Sequence, residues 1–282
     1  MERAATAWVC ARTPEGPDSR TIAVDGKSMR GSTHRGEPMV HLVSALDTAH
    51  KTVLAQQRVA AKSNEIPAFT DVLAGIDPAL LAGAVVSADA MHCQRASARF
   101  LHGAGAYYVF YAAGNQPGLF AAIDALDWEN TPVAHRSRDT GHGRREVRTI
   151  QVLPAPTGLA FPHAEQVFLL ERYTLDRDGA VLSASAVLGV TSLPGRLAGP
   201  ERIMGCCRGQ WQIENPLHWV RDVVFNEDAH RLRKGSAPQV MACLRNLAIS
   251  ALRLSGGGGI ASATRWNHRR SWRPLQTLGI LD

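Results

Sequence analysis

From residue 21 onward, short apolar runs alternate with polar punctuation. TIAVDG, MVHLVSAL and TVLAQQRVA are each of strand length and are separated by Gly, Pro, Lys and Asp, which predicts a three-stranded meander. Ile66, Phe69, Val72, Leu73 and Ile76 then recur at helical spacing, with Ser63 as N-cap. The run LLAGAVVSADA is strongly apolar and ends in an acid, the pattern of a strand buried on both faces with Asp89 at its tip. QRASARFLHGAG predicts a short helix closed by glycine, and AYYVFYAAG an aromatic, β-branched strand.

The resulting order, β-β-β-α-β-α-β, predicts an α/β protein with a ribonuclease-H-like mixed sheet and flanking helices. Residues 1–20, with Pro14, Gly16, Pro17 and Asp18 and no sustained apolar period, read as an irregular lead-in. Residues 124–199 carry alternating runs such as REVRTIQVL, QVFLLERYTL and ASAVLGVTSL and read as a mostly-β insertion. After Pro200 the pattern returns to helix: Ile203, Cys206, Cys207, Trp211, Ile213, Leu217 and Val220 fall near one stripe, bent or restarted at Pro216. The expected plan is a core of 21–123 and 200–255 interrupted by that insertion, with a last apolar helix, PQVMACLRNLAISALRL. Beyond it, 256–282 form a basic tail in which Arg265, Arg269, Arg270 and Arg273 interleave with Trp266 and Trp272.

Composition adds a mild lean. The chain has 31 Lys+Arg against 25 Asp+Glu, a net charge of +6, and so favours polyanionic partners. Cys10, Cys93, Cys206, Cys207 and Cys243 are odd in number and form no C-x-x-C pair, which argues against a disulfide framework and a zinc ribbon and fits a reducing cytosol. No apolar run approaches the roughly 18 residues of a membrane span, and the expectation is a cytoplasmic protein. Serine-triad, phosphate-loop and dinucleotide-binding signatures are also missing.

Three acids stand out. Asp25, among apolar neighbours in the first strand, is either half of an Asp-Gly turn or a group awaiting a cation. Asp89 is either a helix cap or a metal ligand beside it; two acids near the C-terminal ends of neighbouring strands suit a hard cation. At α-helical spacing, Glu214 shares a face with Trp211, His218 and Arg221, which offers a carboxylate with cationic groups for a nearby phosphate, or simply an exposed helix face.

The blocks IAVDGKSMRGS, HLVSALD, KSNEI, SADAMHCQ, GNQPGLF, GHGRREVRTI and WQIENPLHWVRDVVFNEDAHRLRKG, in this order over residues 21–254, resemble the H-repeat-associated insertion-sequence transposases of bacteria. The resemblance implies a DDE enzyme with a ribonuclease-H-like core that cleaves and joins DNA ends. It assigns Asp25, Asp89 and Glu214 as catalytic ligands of two Mg²⁺ or Mn²⁺ ions, with Glu227 as the alternative third acid. It also implies terminal inverted repeats and target DNA as partners, and a homodimer on DNA. The expected DNA contacts are Lys27, Arg30, Asn115, Gln116, His142, Arg144, Arg145, Trp211, His218, Arg221, Arg231, Arg233 and Lys234, with Arg136, Arg138 and Arg148 in the same basic stretch and Trp266 and Trp272 stacking on an unpaired base.

Two departures qualify this. Ala113 stands where the family usually has lysine before GNQ, and only about 20 residues precede the first strand, where family members usually carry a helical region. These features suggest a shortened copy and keep two alternatives open: an inactive remnant that at most binds DNA, and a ribonuclease-H-like nuclease.

Overall fold

The computed structural model describes all residues except 15–19, 34–37, 60–64, 142–143, 257 and 282. The chain divides into two compact units, one of Met1–Ala84 with Gly209–Asp282, the other Val85–Arg208.

In the first unit, strands β1 (Thr21–Ser28), β2 (His41–Asp47) and β3 (Thr52–Val59) form the expected antiparallel meander. Asp25 pairs with Ser44 and Lys27 with Leu42. Being two residues apart, Asp25 and Lys27 leave the same face of β1. Asp25 and Gly26 lie inside the strand, so the Asp-Gly turn is not formed. Residues 1–20 are less irregular than expected: helix α1 (Glu2–Cys10) buries Val9 and Cys10, and the Glu2 carboxylate accepts a bond from Gln56 on β3. With so little of the helix buried, its apolar period is too short to read from sequence.

Helix α2 (Glu65–Ala74) buries Phe69, Val72 and Leu73 as its spacing predicted; the Ser63 cap lies outside the described residues. Leu80 and Leu81 belong to a short helix, α3 (Pro78–Leu81), capped by Asp77, whose carboxylate accepts from the Ala79 amide at 2.9 Å. A Pro at the first helical position and an Asp cap divert the start of that apolar run from strand to helix.

In the second unit, β4 (Val85–Ala88) and β5 (Tyr107–Ala112) run parallel, joined by helix α4 (Arg95–Gly103). Helix α5 (Pro117–Asp124) follows, then the long strands β6 (His135–Gly141), β7 (Arg144–Pro154), β8 (Gln166–Leu175) and β9 (Val181–Thr191) in an antiparallel ladder whose last strand pairs with β5. Val85, Val109, Ile150, Phe168 and Leu193 build its core with Ile203, Met204, Cys206 and Cys207 of helix α6 (Pro200–Gln212).

From Gly209 the chain belongs to the first unit. After α6 it enters a π-helix, Glu214–Val224, in which the His218 amide donates to the Ile213 carbonyl and that of Phe225 to the Val220 carbonyl, five residues back. Pro216, two residues into this segment, has no N–H to donate to the preceding turn. Ile213, Leu217 and Val220 pack with Ala23, Leu46 and Val53 of the meander and with Ile249 and Leu252 of helix α7 (Ala237–Leu254). The basic tail contains two helices, α8 (Ile260–His268) and α9 (Arg273–Thr277). Among the described residues no helix is long and apolar enough to cross a membrane.

Candidate metal centre

The face of β1 that carries Ala23 is covered by the π-helix, and this brings Asp25 to Glu214 and His218. Gln210 ties the two elements, its side-chain amide donating to the Val24 carbonyl at 3.0 Å. One ligand atom from each of Asp25, Glu214 and His218 lies within 4.8 Å of the others. His218 Nδ1 stands 3.6 Å from Asp25 Oδ2 and 3.5 Å from Glu214 Oε2. The side chains are 27%, 70% and 5% exposed for Asp25, Glu214 and His218 respectively, so the carboxylates open to solvent above a buried imidazole. Two convergent carboxylates with an accessible side are what a hard divalent cation requires, and the residues present fit one.

Lys27 Nζ lies 2.6 Å from Asp222 Oδ2 on the π-helix. The Glu214 carboxyl is held below its usual range, chiefly by its polar contact with His218 and further by the Lys27 ammonium, against partial burial. Lys27, an expected DNA contact, thus has an anionic partner on the π-helix.

In the second unit, Asp89 follows β4 and precedes a short 3-10 turn, Ala90–His92. Its side chain is half exposed, 3.9 Å from His92 Nε2, and its Oδ1 is buried without a hydrogen-bond partner among the described residues. Asn115 and Gln116 hold this region: the Asn115 amide donates to the Ala90 carbonyl at 2.6 Å, and that of Gln116 to Gln94 Oε1 at 3.1 Å. Both are expected DNA contacts; in the structure they also brace the segment that follows Asp89, a role with no signal in spacing or composition.

Arg221 departs from expectation most. Its side chain is 0% exposed, and its guanidinium grips Glu227 with Nε at 2.9 and 3.1 Å and Nη2 at 2.7 Å. Arg245 reaches the same carboxylate at 3.0 Å. The π-winding advances less per residue than an α-helix, so seven residues no longer complete two turns, and Arg221 points away from the face of Glu214. Glu227 is turned inward behind Asn226, whose φ of 50° is left-handed, and is buried between two arginines. Two cations already satisfy this carboxylate, so it does not fit as the third acid.

The remaining basic residues divide by exposure. Arg30, Arg136, Arg138, Arg144, Arg145, Arg231 and Lys234 are exposed; His142 lies outside the described residues. Arg233 is exposed too, with Nε donating to the Gly31 carbonyl at 3.2 Å. Arg148 is occupied by Asp139 and Glu146, and Arg208 shares Asp139 at 3.0 Å. Trp211 is exposed, and Trp266 and Trp272 flank Arg273, whose guanidinium lies 4.1 and 5.5 Å from their ring centres.

The fold is shared with a piggyBac transposase in a synaptic complex with hairpin DNA: the TM-score is 0.51 over 88% of this chain and 51% of that one, at 9% identity. It is the mixed α/β, ribonuclease-H-like fold anticipated from the element order. In sequence the chain is 30% identical over 252 residues to the Escherichia coli K12 protein YbfL, covering 83% of this chain and 64% of YbfL. It is 29% identical over 252 residues to the "H repeat-associated putative transposase YhhI" of the same strain, covering 83% and 64%. The chain thus spans just under two thirds of the length of these relatives. Residues 16–251 match the family described as Transposase DDE domain. With most of its length inside that match, and with the motif order of the H-repeat-associated proteins, the chain belongs to the DDE transposase family.

Proposed function

We propose that this chain is a metal-dependent DNA transposase that cleaves insertion-sequence DNA ends and joins them to target DNA, with Asp25, Asp89 and Glu214 as its metal ligands. The observation that supports this most directly is the meeting of Asp25 and Glu214 in a cluster of ligand atoms, in a chain of the DDE family. Asp89 enters through the family's motif order, helped by an Oδ1 that accepts no hydrogen bond among the described residues. Bound divalent metal would supply Lewis-acid activation of the attacking oxygen and charge neutralisation at the phosphodiester.

The chain's own residues supply position and charge. Asp25 and Glu214 present acceptors on an open surface, and the Lys27–Asp222 pair fixes the π-helix beside β1. The exposed Arg30, Arg144, Arg145, Arg231 and Lys234 are suited to the phosphate backbone. Two copies of the chain would bridge two DNA ends.

The test is cleavage of a duplex carrying the inverted repeats that flank the gene. Wild-type protein with Mg²⁺ should nick the end, while Asp25→Asn, Asp89→Asn and Glu214→Gln should each lose on the order of a hundredfold or more in rate. A protein that binds duplex but cleaves no better than these variants would leave the DNA-binding remnant, the reading that Ala113 favours. Preference for an RNA:DNA hybrid over the duplex end would leave the nuclease.

A further inference from the structure

The sequence placed His218 at DNA, but a side chain 5% exposed beneath two carboxylates cannot reach a duplex. Its ring has one polar outlet: Nε2 is buried with no hydrogen-bond partner among the described residues, and Nδ1 faces Asp25 and Glu214. At 3.6 and 3.5 Å, those Nδ1 contacts are longer than a good N–H···O bond of about 2.9 Å. They match donor atoms sharing one small cation: with bonds of about 2.1 Å, two donors stand about 3.0 Å apart at right angles and about 3.4 Å apart at the tetrahedral angle.

We infer that His218 is a direct ligand, completing with Asp25 and Glu214 a site of two carboxylates and one imidazole that selects a first-row transition ion such as Mn²⁺ over Mg²⁺. The inference rests on the reading of those two acids as ligands and adds a residue outside the aspartate–aspartate–glutamate set. Mg²⁺ prefers oxygen donors and sheds water reluctantly, so an imidazole contributes little to holding it. Mn²⁺ accepts carboxylate oxygen, and an imidazole nitrogen raises affinity along the first-row series. The burial of His218 supports this role, because a ring already held in place loses little freedom when it binds.

Pulsed electron paramagnetic resonance of the full chain loaded with Mn²⁺ alone tests the assignment without DNA or turnover. Wild type should show nitrogen coupling from a bound imidazole, ¹⁵N-histidine labelling should convert it to the ¹⁵N pattern, and His218→Gln and Asp25→Asn should each abolish it. In competition titrations, wild type should prefer Mn²⁺ over Mg²⁺ by on the order of tenfold or more, and His218→Gln should lose most of that preference. Labelling keeps the assignment testable even if His218→Gln fails to fold. Mn²⁺ bound without nitrogen coupling, coupling that survives His218→Gln, or no binding sensitive to Asp25→Asn would each overturn it. Cleavage of DNA ends in Mg²⁺ without nitrogen coupling would sink this inference and spare the transposase reading; coupling in a protein that never cleaves would do the reverse.

Discussion

Gly26 stands so close to Glu65 that a Cβ at position 26 would meet Glu65 Oε2 at 2.7 Å, and His41 Nε2 at the same distance. Glu65 and His41 form a buried polar pair, and His41 Nδ1 shares a 2.9 Å hydrogen bond with Ser28 Oγ. The relay runs along the face of β1 opposite Asp25, and the absent side chain of Gly26 makes room for it. Gly26→Ala should therefore destabilise the fold by about 1–3 kcal/mol, the usual cost of overfilling a close-packed site. An unchanged thermal midpoint would show that the pair tolerates displacement.

The buried cluster of Arg221, Glu227 and Arg245 predicts an asymmetry between two glutamates. Glu227→Gln removes the charge that two buried guanidiniums share and should cost about 3–5 kcal/mol in denaturant melts. Glu214→Gln, on a largely exposed side chain, should leave the melt nearly unchanged while abolishing cleavage. The reverse pattern would reinstate Glu227 as the catalytic acid.

The five cysteines are free and buried. Burial pushes the Cys93 thiol up to about 12 and raises those of Cys10, Cys207 and Cys243. Thiol reagents at pH 8 should label the native protein slowly and the unfolded protein at all five positions. Folded thiols keep protons that unfolded ones release, so the stabilising contribution is complete below the ordinary value of about 9 and is lost as pH rises toward 12. Stability that is flat across pH 9–11 would contradict this burial.

Asn115→Ala should free the Ala90 carbonyl and loosen the turn after Asp89 at a cost of about 1 kcal/mol. Hydrogen exchange should quicken over residues 90–93, and cleavage should fall while duplex affinity holds. A loss of affinity with cleavage per bound complex intact would return Asn115 to the DNA surface.

What the sequence made legible follows from how locally each feature is encoded. The meander and α2 carry strong periodicity; Phe69, Val72 and Leu73 are buried as it predicts, while Ile66 is exposed and β2 is buried along its whole length. Asp25 and Glu214 could be singled out because each lies in a distinctive motif, and the fold brings them together. The face of Arg221 was unreadable because it depends on helical winding, which an α-period assumption gets wrong from Glu214 onward. The Glu65–His41 pair and the Asn115 brace join residues 24 and 25 positions apart, beyond the reach of any local pattern.

That winding also governs where a charge sits. An i→i+5 segment holds more residues per turn than an α-helix of equal height. Wound as an α-helix, residue 221 would come round to the face of residue 214 after nearly two turns, setting a fixed positive charge beside Asp25 and Glu214 and leaving Glu227 with Arg245 alone. The π-winding keeps that charge on the buried side, away from the carboxylates.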